Sequence, residues 1–444
     1  MHAIPSRNLK VSSTHYPRTN SVPSLVLAFA LSIIATPWAS AQTYTVLHNF
    51  SGGGDGVTPE AGLTIDAAGN LYGSAATGGG GSGCNGYGCG VVFKLSHKGP
   101  GWILTPLHTF EGGSDGNSPQ GRVVLARDGT LYGTTTIGGG SGCLSFGCGT
   151  VFHLTPPPSA PKSVVAPWNE TIIHSFDGTD GFEPEGDLTF DQAGNIYGTT
   201  EQGGSSACDD NGVYGCGVVY KLIATRDGGW DQTLLFAAQG GSAGSEPMDG
   251  VVFDPSGNLY GALEANGPFN WGLIFQLSPS GPGWKEQPAY IFSGGSNGGV
   301  PEAGLIADAS GNLYGTTRFG GGINPCGTVF ELTPSGPGWS INTLYIFLGQ
   351  PDGCGPEAKL AMDAAGSLYG TTMFGGQGFG GGAGTVFKLT PANGGWTYTS
   401  LHDFVGTDGA YPTSSLVFDV NGNLYGTTTQ GGASNEGVVF EITP

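Results

Sequence analysis

Residues 422–444 read GNLYGTTTQGGASNEGVVFEITP. Close variants of the opening phrase, GNLYG, occur six more times upstream. In those copies the VF segment runs on, through a Gly-rich hairpin, into one more strand ending in LHxF or a variant of it. The last copy stops before that strand. Immediately after the N-terminal leader, with no GLxxD before it, stands the orphan Tyr44-Thr45-Val46-Leu47-His48-Asn49-Phe50.

The Tyr of the phrase is a ruler: Tyr72, Tyr132, Tyr197, Tyr260, Tyr314, Tyr369 and Tyr425, spaced 54 to 65 residues apart. Thirteen residues before each stands a Pro, from Pro59 to Pro412. No insertion or deletion separates them. Each unit reads as four strands: GLxxD (Gly62 to Asp66 in the first), NLYGTT, GTVFKLTP (Gly384 to Pro391 in the sixth) and LHxF. Short β-branched and aromatic runs between Gly, Pro and Asn favour strands. The DxxGN link between the first two is a hairpin turn, its Asp capping and its Gly supplying positive φ. Four strands in seven units predict an all-β, seven-bladed propeller of antiparallel four-stranded blades. Strand 44–50 is expected to complete the last blade and close the ring, removing the exposed edges. The blades are expected at about 62–110, 121–176, 187–236, 249–292, 303–347, 358–404 and 415–444 plus 44–50.

Residues 1–41 read as a secretory signal. Arg7, Lys10 and Arg18 form a basic leader, Leu25 to Ala35 a short apolar run, and Ala39-Ser40-Ala41 a cleavage signature. The propeller is expected over 42–444. Without the leader, 11 basic residues face 34 acidic ones, a net charge of −23. Such a chain repels nucleic acid and anionic lipid. Nothing after the leader is apolar and long enough to be a membrane-spanning helix, and a secreted or periplasmic monomer is expected.

The repeated DxxGNLYGTT, GG, G(T/V)VFxLTP and LHxF resemble the GloVer tandem repeats of secreted bacterial proteins, over about residues 44–444. The resemblance implies a propeller outside the cytoplasm and no established chemistry. In that family the repeats often end in a surface-sorting signal. This sequence ends on Ile442-Thr443-Pro444, so simple secretion is expected. More distantly, the pattern is similar to NHL and kelch repeats, which are also propellers.

Eight cysteines in an exported chain imply disulfides. Cys84 and Cys89, Cys143 and Cys148, and Cys208 and Cys216 each share a loop between strands two and three. Cys326 takes the place of a second Cys, and Cys354, in the next loop on the same face, is its expected partner. No metal site is expected among them, since the pairs stand on separate blades without His.

By strand parity, the loops from strand two to three and from strand four to the next blade open on one face. Variable loops on a rigid scaffold are the usual place for binding. Glu60, Glu185, Glu302 and Glu357 follow the repeated Pro and could form a partial carboxylate ring, able to hold Ca²⁺ or do acid–base work; solvated rim charge is the plainer reading. Arg122, Asp187 and Lys359 stand two residues further on and read as inter-blade ion pairs or as ligand-orienting charges. Tyr87, Phe146, Tyr214, Phe269, Trp271, Phe319, Phe374 and Phe379 could stack on sugar rings or simply pack their loops. Trp271, in a loop without a disulfide, is the strongest single ligand-binding candidate. Asp55, Asp115, Asp180, Asp352 and Asp408 cap DGxxP turns, with weak Ca²⁺ binding as the alternative. His48, His108, His174 and His402 share a position that also accepts Leu234, Tyr290 and Tyr345, which reads as packing. No cofactor and no catalytic residue is assigned. The expected role is a binding scaffold, a glycan or other extracellular polymer being the first partner to test. The rival is a channel-mouth enzyme, a sugar-lactone hydrolase or polysaccharide lyase.

Overall fold

A computed structural model describes residues 42–80, 84–140, 142–143, 146–157, 167–204, 208, 215–322, 325–377 and 382–443. The leader, Tyr214 and Phe379 lie outside them. The described chain forms seven four-stranded antiparallel sheets. The first blade is typical, with strands Thr64–Ile65, Leu71–Ala75, Val91–Lys98 and Gly101–Thr109.

The seventh blade pairs Val417–Phe418, Leu424–Thr428 and Val438–Thr443 with Thr43–Asn49. Thr43 faces Thr443 and Asn49 faces Val438, so the orphan strand closes the ring as expected. The closing pair even repeats a bulge found at one level in every blade. In the first, Val92 faces His108 and Phe93 faces Pro106, leaving Leu107 as the extra residue; in the seventh, Leu47 is the extra one. A bulge re-aims one side chain. Here Leu107 turns into the seam between the first and second blades, 3% exposed.

The core is accordingly seven separate layers, each shared by neighbouring blades. Phe50, Phe93, Phe110, Phe152, Phe275, Phe292, Phe330, Phe347, Phe387, Phe404 and Phe440 are almost completely buried in them. The Gly after the ruler Tyr makes room for one such ring in six blades, a Cβ on Gly73 standing 2.6 Å from Phe93, and for Tyr220 in the third.

The innermost strand is shorter than GLxxD suggests, two residues in every blade. Near the axis the chain is tied sideways as well as to its own sheet. The hydroxyls of Thr64, Ser74 and Thr427 donate to the carbonyls of Val123, Gly121 and Ala61 in the next blade. On the far face the Tyr72 hydroxyl donates to the hairpin Asp66 (3.0 Å), and Tyr197 does the same to Asp191 (3.1 Å).

Four disulfides form: Cys84–Cys89, Cys143–Cys148, Cys208–Cys216 and Cys326–Cys354. They use all eight cysteines, which fits folding in an oxidising compartment. No described helix is long and apolar enough to cross a membrane.

Candidate functional site at the channel mouth

The repeated Pro builds the mouth. It lies against the Gly that opens strand three of the preceding blade: a Cβ on Gly90 would stand 2.4 Å from Pro119, and one on Gly437 would stand 2.7 Å from Pro59. The residue before each Pro is driven into the left-handed region: Thr58, Ser118, Glu183, Glu246, Val300, Gly355 and Tyr411, with φ between 55° and 67°. Residues before Pro normally avoid α conformations, and β-branched ones avoid positive φ. The strain is held by two backbone hydrogen bonds. Ser118 N–H, for example, donates to Cys89 O in the preceding blade, and Ser118 O accepts from Thr136 N–H. Strained backbone of this kind collects at functional sites. Here a ring of it surrounds the axis.

The mouth is a cavity of about 430 Å³. All seven charged candidates, Glu60, Arg122, Glu185, Asp187, Glu302, Glu357 and Lys359, line it. They fall into two tiers. In the inner one, Arg122 donates to Asp187 Oδ2 through Nε (3.0 Å) and Nη2 (2.7 Å), while Lys359 Nζ lies 3.7 Å from the same oxygen. Burial raises the Asp187 carboxyl, but the charges of Arg122 and Lys359 outweigh it and hold the group below its ordinary range. Asp249 accepts from the backbone N–H of Gly304 at 2.8 Å. Burial, then the charge of Asp187, pushes it up.

The outer tier, Glu60, Glu185, Glu302 and Glu357, is carboxylate, and Glu183, Glu201, Glu246 and Glu264 flank it outside the cavity lining. Burial, then the charges of Glu201, Glu183, Glu60 and Glu264, pushes Glu185 up to about 8. Glu264 is also raised to about 8, by burial and then by Glu302, Glu246 and Glu201. Glu201 and Glu357 each rise to about 7, burial again being the first cause. Arg318 bridges two members, with Nη1 2.7 Å from Glu302 Oε1 and Nε 2.9 Å from Glu357 Oε1. Gln120 donates to Glu60 at 2.7 Å. Among the described residues no cation pairs with Glu185, Glu201, Glu246 or Glu264. Carboxyls poised near neutrality offer both a donor and an acceptor, and their accumulated charge attracts cations.

Sequence reasoning missed Glu183, Glu201, Glu246, Glu264 and Arg318. The signal was available: Glu183 and Glu246 directly precede the ruler Pro, and Glu201, Glu264 and Arg318 directly follow the fifth residue of a YGTT-type strand.

The aromatic candidates stand apart from the cavity. Tyr87 (79% exposed), Phe146 and Phe269 project from their loops. Phe319 lies 5.1 Å from the Arg318 guanidinium, and Phe374 packs edge-on against Tyr411 at 5.6 Å. Trp271 differs. Its indole is wedged against the backbone of Gly294 and Gly299, where added Cβ atoms would stand 2.2 and 2.5 Å from it. Gly112, the counterpart of Gly294 in the first blade, meets the Cys84–Cys89 sulfurs instead. Trp271 therefore fills the slot a disulfide fills elsewhere, and its geometry is that of a packing residue. The His position also holds more than packing. His48, His174 and His402 lie 3.0, 3.0 and 2.9 Å from Asp55, Asp180 and Asp408, bracing the Asp–Gly turns.

The model of the Gloeobacter/Verrucomicrobia repeat matches residues 34–210 and 206–440. The chain belongs to this repeat family. No curated protein matches it. Among solved structures it is similar to a candidate 6-phosphogluconolactonase of Bacteroides uniformis, with 14% identity over 76% of this chain and 84% of the other and a TM-score of 0.46. It is also similar to PorZ, a surface component of the type-IX secretion system of Porphyromonas gingivalis. There the identity is 13% over 86% of this chain and 46% of PorZ, with a TM-score of 0.49. Likenesses this distant carry nothing about ligand or chemistry for the repeat protein.

Proposed function

We propose that this repeat protein is a secreted, monomeric binding scaffold that takes a neutral or cationic glycan segment at its channel mouth. One observation carries the reading: Glu185 and Glu357, carboxyls raised toward neutrality, share one open cavity with the Arg122–Asp187–Lys359 cluster. Poised carboxyls can hydrogen-bond hydroxyls in either direction, and accumulated negative charge favours amino sugars over uronic acids. Exposed Tyr87, Phe146 and Phe269 offer apolar faces to a longer chain.

The test is thermal unfolding of the protein with oligosaccharides of glucosamine, glucose and uronic acid. A ligand at 100 times its dissociation constant adds about 2.7 kcal/mol. Stabilisation by the first or second, weakened in Glu185→Gln, is expected. Stabilisation by the uronic acid alone, or by none, overturns the reading.

A hydrolase or lyase reading rests on the division between Asp187, held low, and Glu185, raised, which is the pattern of an acid–base pair. Cleavage of the same oligosaccharides, lost in Glu185→Gln, would replace simple binding with catalysis.

A further inference from the structure

One register of the outer strand reaches toward the turn of the preceding blade. At three seams it holds a donor. Gln232 Nε2 donates to Asp180 O (3.0 Å), Tyr398 to Asp352 O (2.7 Å) and Tyr44 to Asp408 O (2.6 Å). The registers match: Gln232 faces Leu222, Tyr398 faces Leu389 and Tyr44 faces Ile442. At the seam between the first and second blades the residue in this register, facing Leu154, is Glu170. Glu170 donates to no turn carbonyl: its Oε1 makes no hydrogen bond among the described residues. It stands instead among two other potential ligands.

His108 Nε2 lies 3.4 Å from Asp115 Oδ1 and 3.6 Å from Glu170 Oε2. One ligand atom from each of the three residues lies within 4.8 Å of the others. Atoms bound 2.0–2.2 Å from a tetrahedral ion stand about 3.4 Å from each other. The equivalent His–Asp pairs of the other seams are closer, 2.9 to 3.0 Å. The Glu170 side chain is only 10% exposed. Its Oε1 and the Nε2 of His108 are buried and make no hydrogen bond among the described residues. Asp115 is already oriented, its Oδ2 accepting from the backbone N–H of Glu111 at 2.6 Å. The His108 ring is fixed edge-on to Phe110, 4.7 Å between centroids.

We propose that His108, Asp115 and Glu170 form a site for a borderline-soft divalent metal ion of the Zn²⁺ class, which pins the first blade to the second. Mixed imidazole and carboxylate donors suit such an ion, and solvent would complete its coordination. The ligands bind a metal in their deprotonated forms, so affinity should rise with pH.

The test uses the full chain, exported and purified without a polyhistidine tag, stripped with chelator and titrated with Zn²⁺ in a calorimeter and in thermal melts. One tight Zn²⁺ per chain and a raised midpoint are expected. Glu170→Gln should fold, because Gln occupies the same register at Gln232. Its affinity should fall by at least the roughly tenfold that even an outer-shell loss costs. Glu286→Gln, in the same register of the fourth blade but at a seam with no His–Asp pair, should titrate like wild type. Equal Zn²⁺ binding by wild type and Glu170→Gln, or no binding by wild type, overturns the proposal and leaves Glu170 and Asp115 as a proton-sharing pair.

Discussion

Gly437 sits at φ +94°, and a Cβ there would stand 2.3 Å from Thr428 O and 2.7 Å from Pro59 Cδ. Gly422 has a similar φ of +86° and open space around it. Comparing Gly437→Ala with Gly422→Ala separates backbone strain from the seam. The left-handed penalty common to both is about 1–2 kcal/mol. We expect Gly422→Ala to lose about that and Gly437→Ala clearly more, read from urea midpoints; equal losses would mean that the Pro–Gly contact carries little. Individual residues were unevenly legible in the sequence. The glutamates after the ruler Pro could be read because position alone places them at the axis. Glu183 and Glu246 stand directly before the same Pro and were as visible in the sequence, but their left-handed backbone, which the following Pro disfavours, was not. Trp271 was legible only in part: its counterparts are cysteines, and an indole doing the work of a disulfide shows only once Gly294 and Gly299 are seen beneath it.

Among the elements, the strand Thr43–Asn49 has the most distant partner. Removing it would leave Val438–Thr443 as an unpaired edge and uncover Val439 and Phe440, both fully buried in the closed ring. Exposed hydrophobic edges recruit other chains. A chain lacking residues 43–49 should therefore dimerise or aggregate and unfold at lower urea. Size-exclusion chromatography with light scattering reads the first effect, and a well-behaved monomer would refute it. Strand number and closure were plain from the repeat, because turn chemistry punctuates every unit. The two-residue inner strands were not, because the lateral hydroxyl ties of Thr64, Ser74 and Thr427 to the next blade leave no mark in strand propensity.

At the scale of the whole molecule, two sets of carboxyls oppose each other in pH. Glu185, Glu201, Glu264 and Glu357 are raised from 4.5 to about 8, 7, 8 and 7. Their contribution to stability is complete below pH 4.5 and is lost as pH climbs through 7 to 8. The turn aspartates Asp55, Asp66, Asp191, Asp363 and Asp408 are held low, their hydrogen bonds outweighing burial. Their contribution is present above about 3.8, the ordinary value, and fades as pH falls below it. Maximum stability should therefore lie at mildly acidic pH, with the melting temperature declining between pH 5 and pH 8.5. Glu185→Gln combined with Glu264→Gln should flatten that decline; an unchanged slope would place its origin elsewhere. Closure also has a consequence in time. Thr43 and Thr443 meet across 400 residues. At about 5–20 residues per second, the partner of the first strand is made roughly 20–80 s after it. Through that interval the ring has no closed state, and a chain cut short at any blade keeps an open edge. The architecture thus counts its own blades: only a chain carrying all seven repeats can pair Thr43–Asn49 with Val438–Thr443.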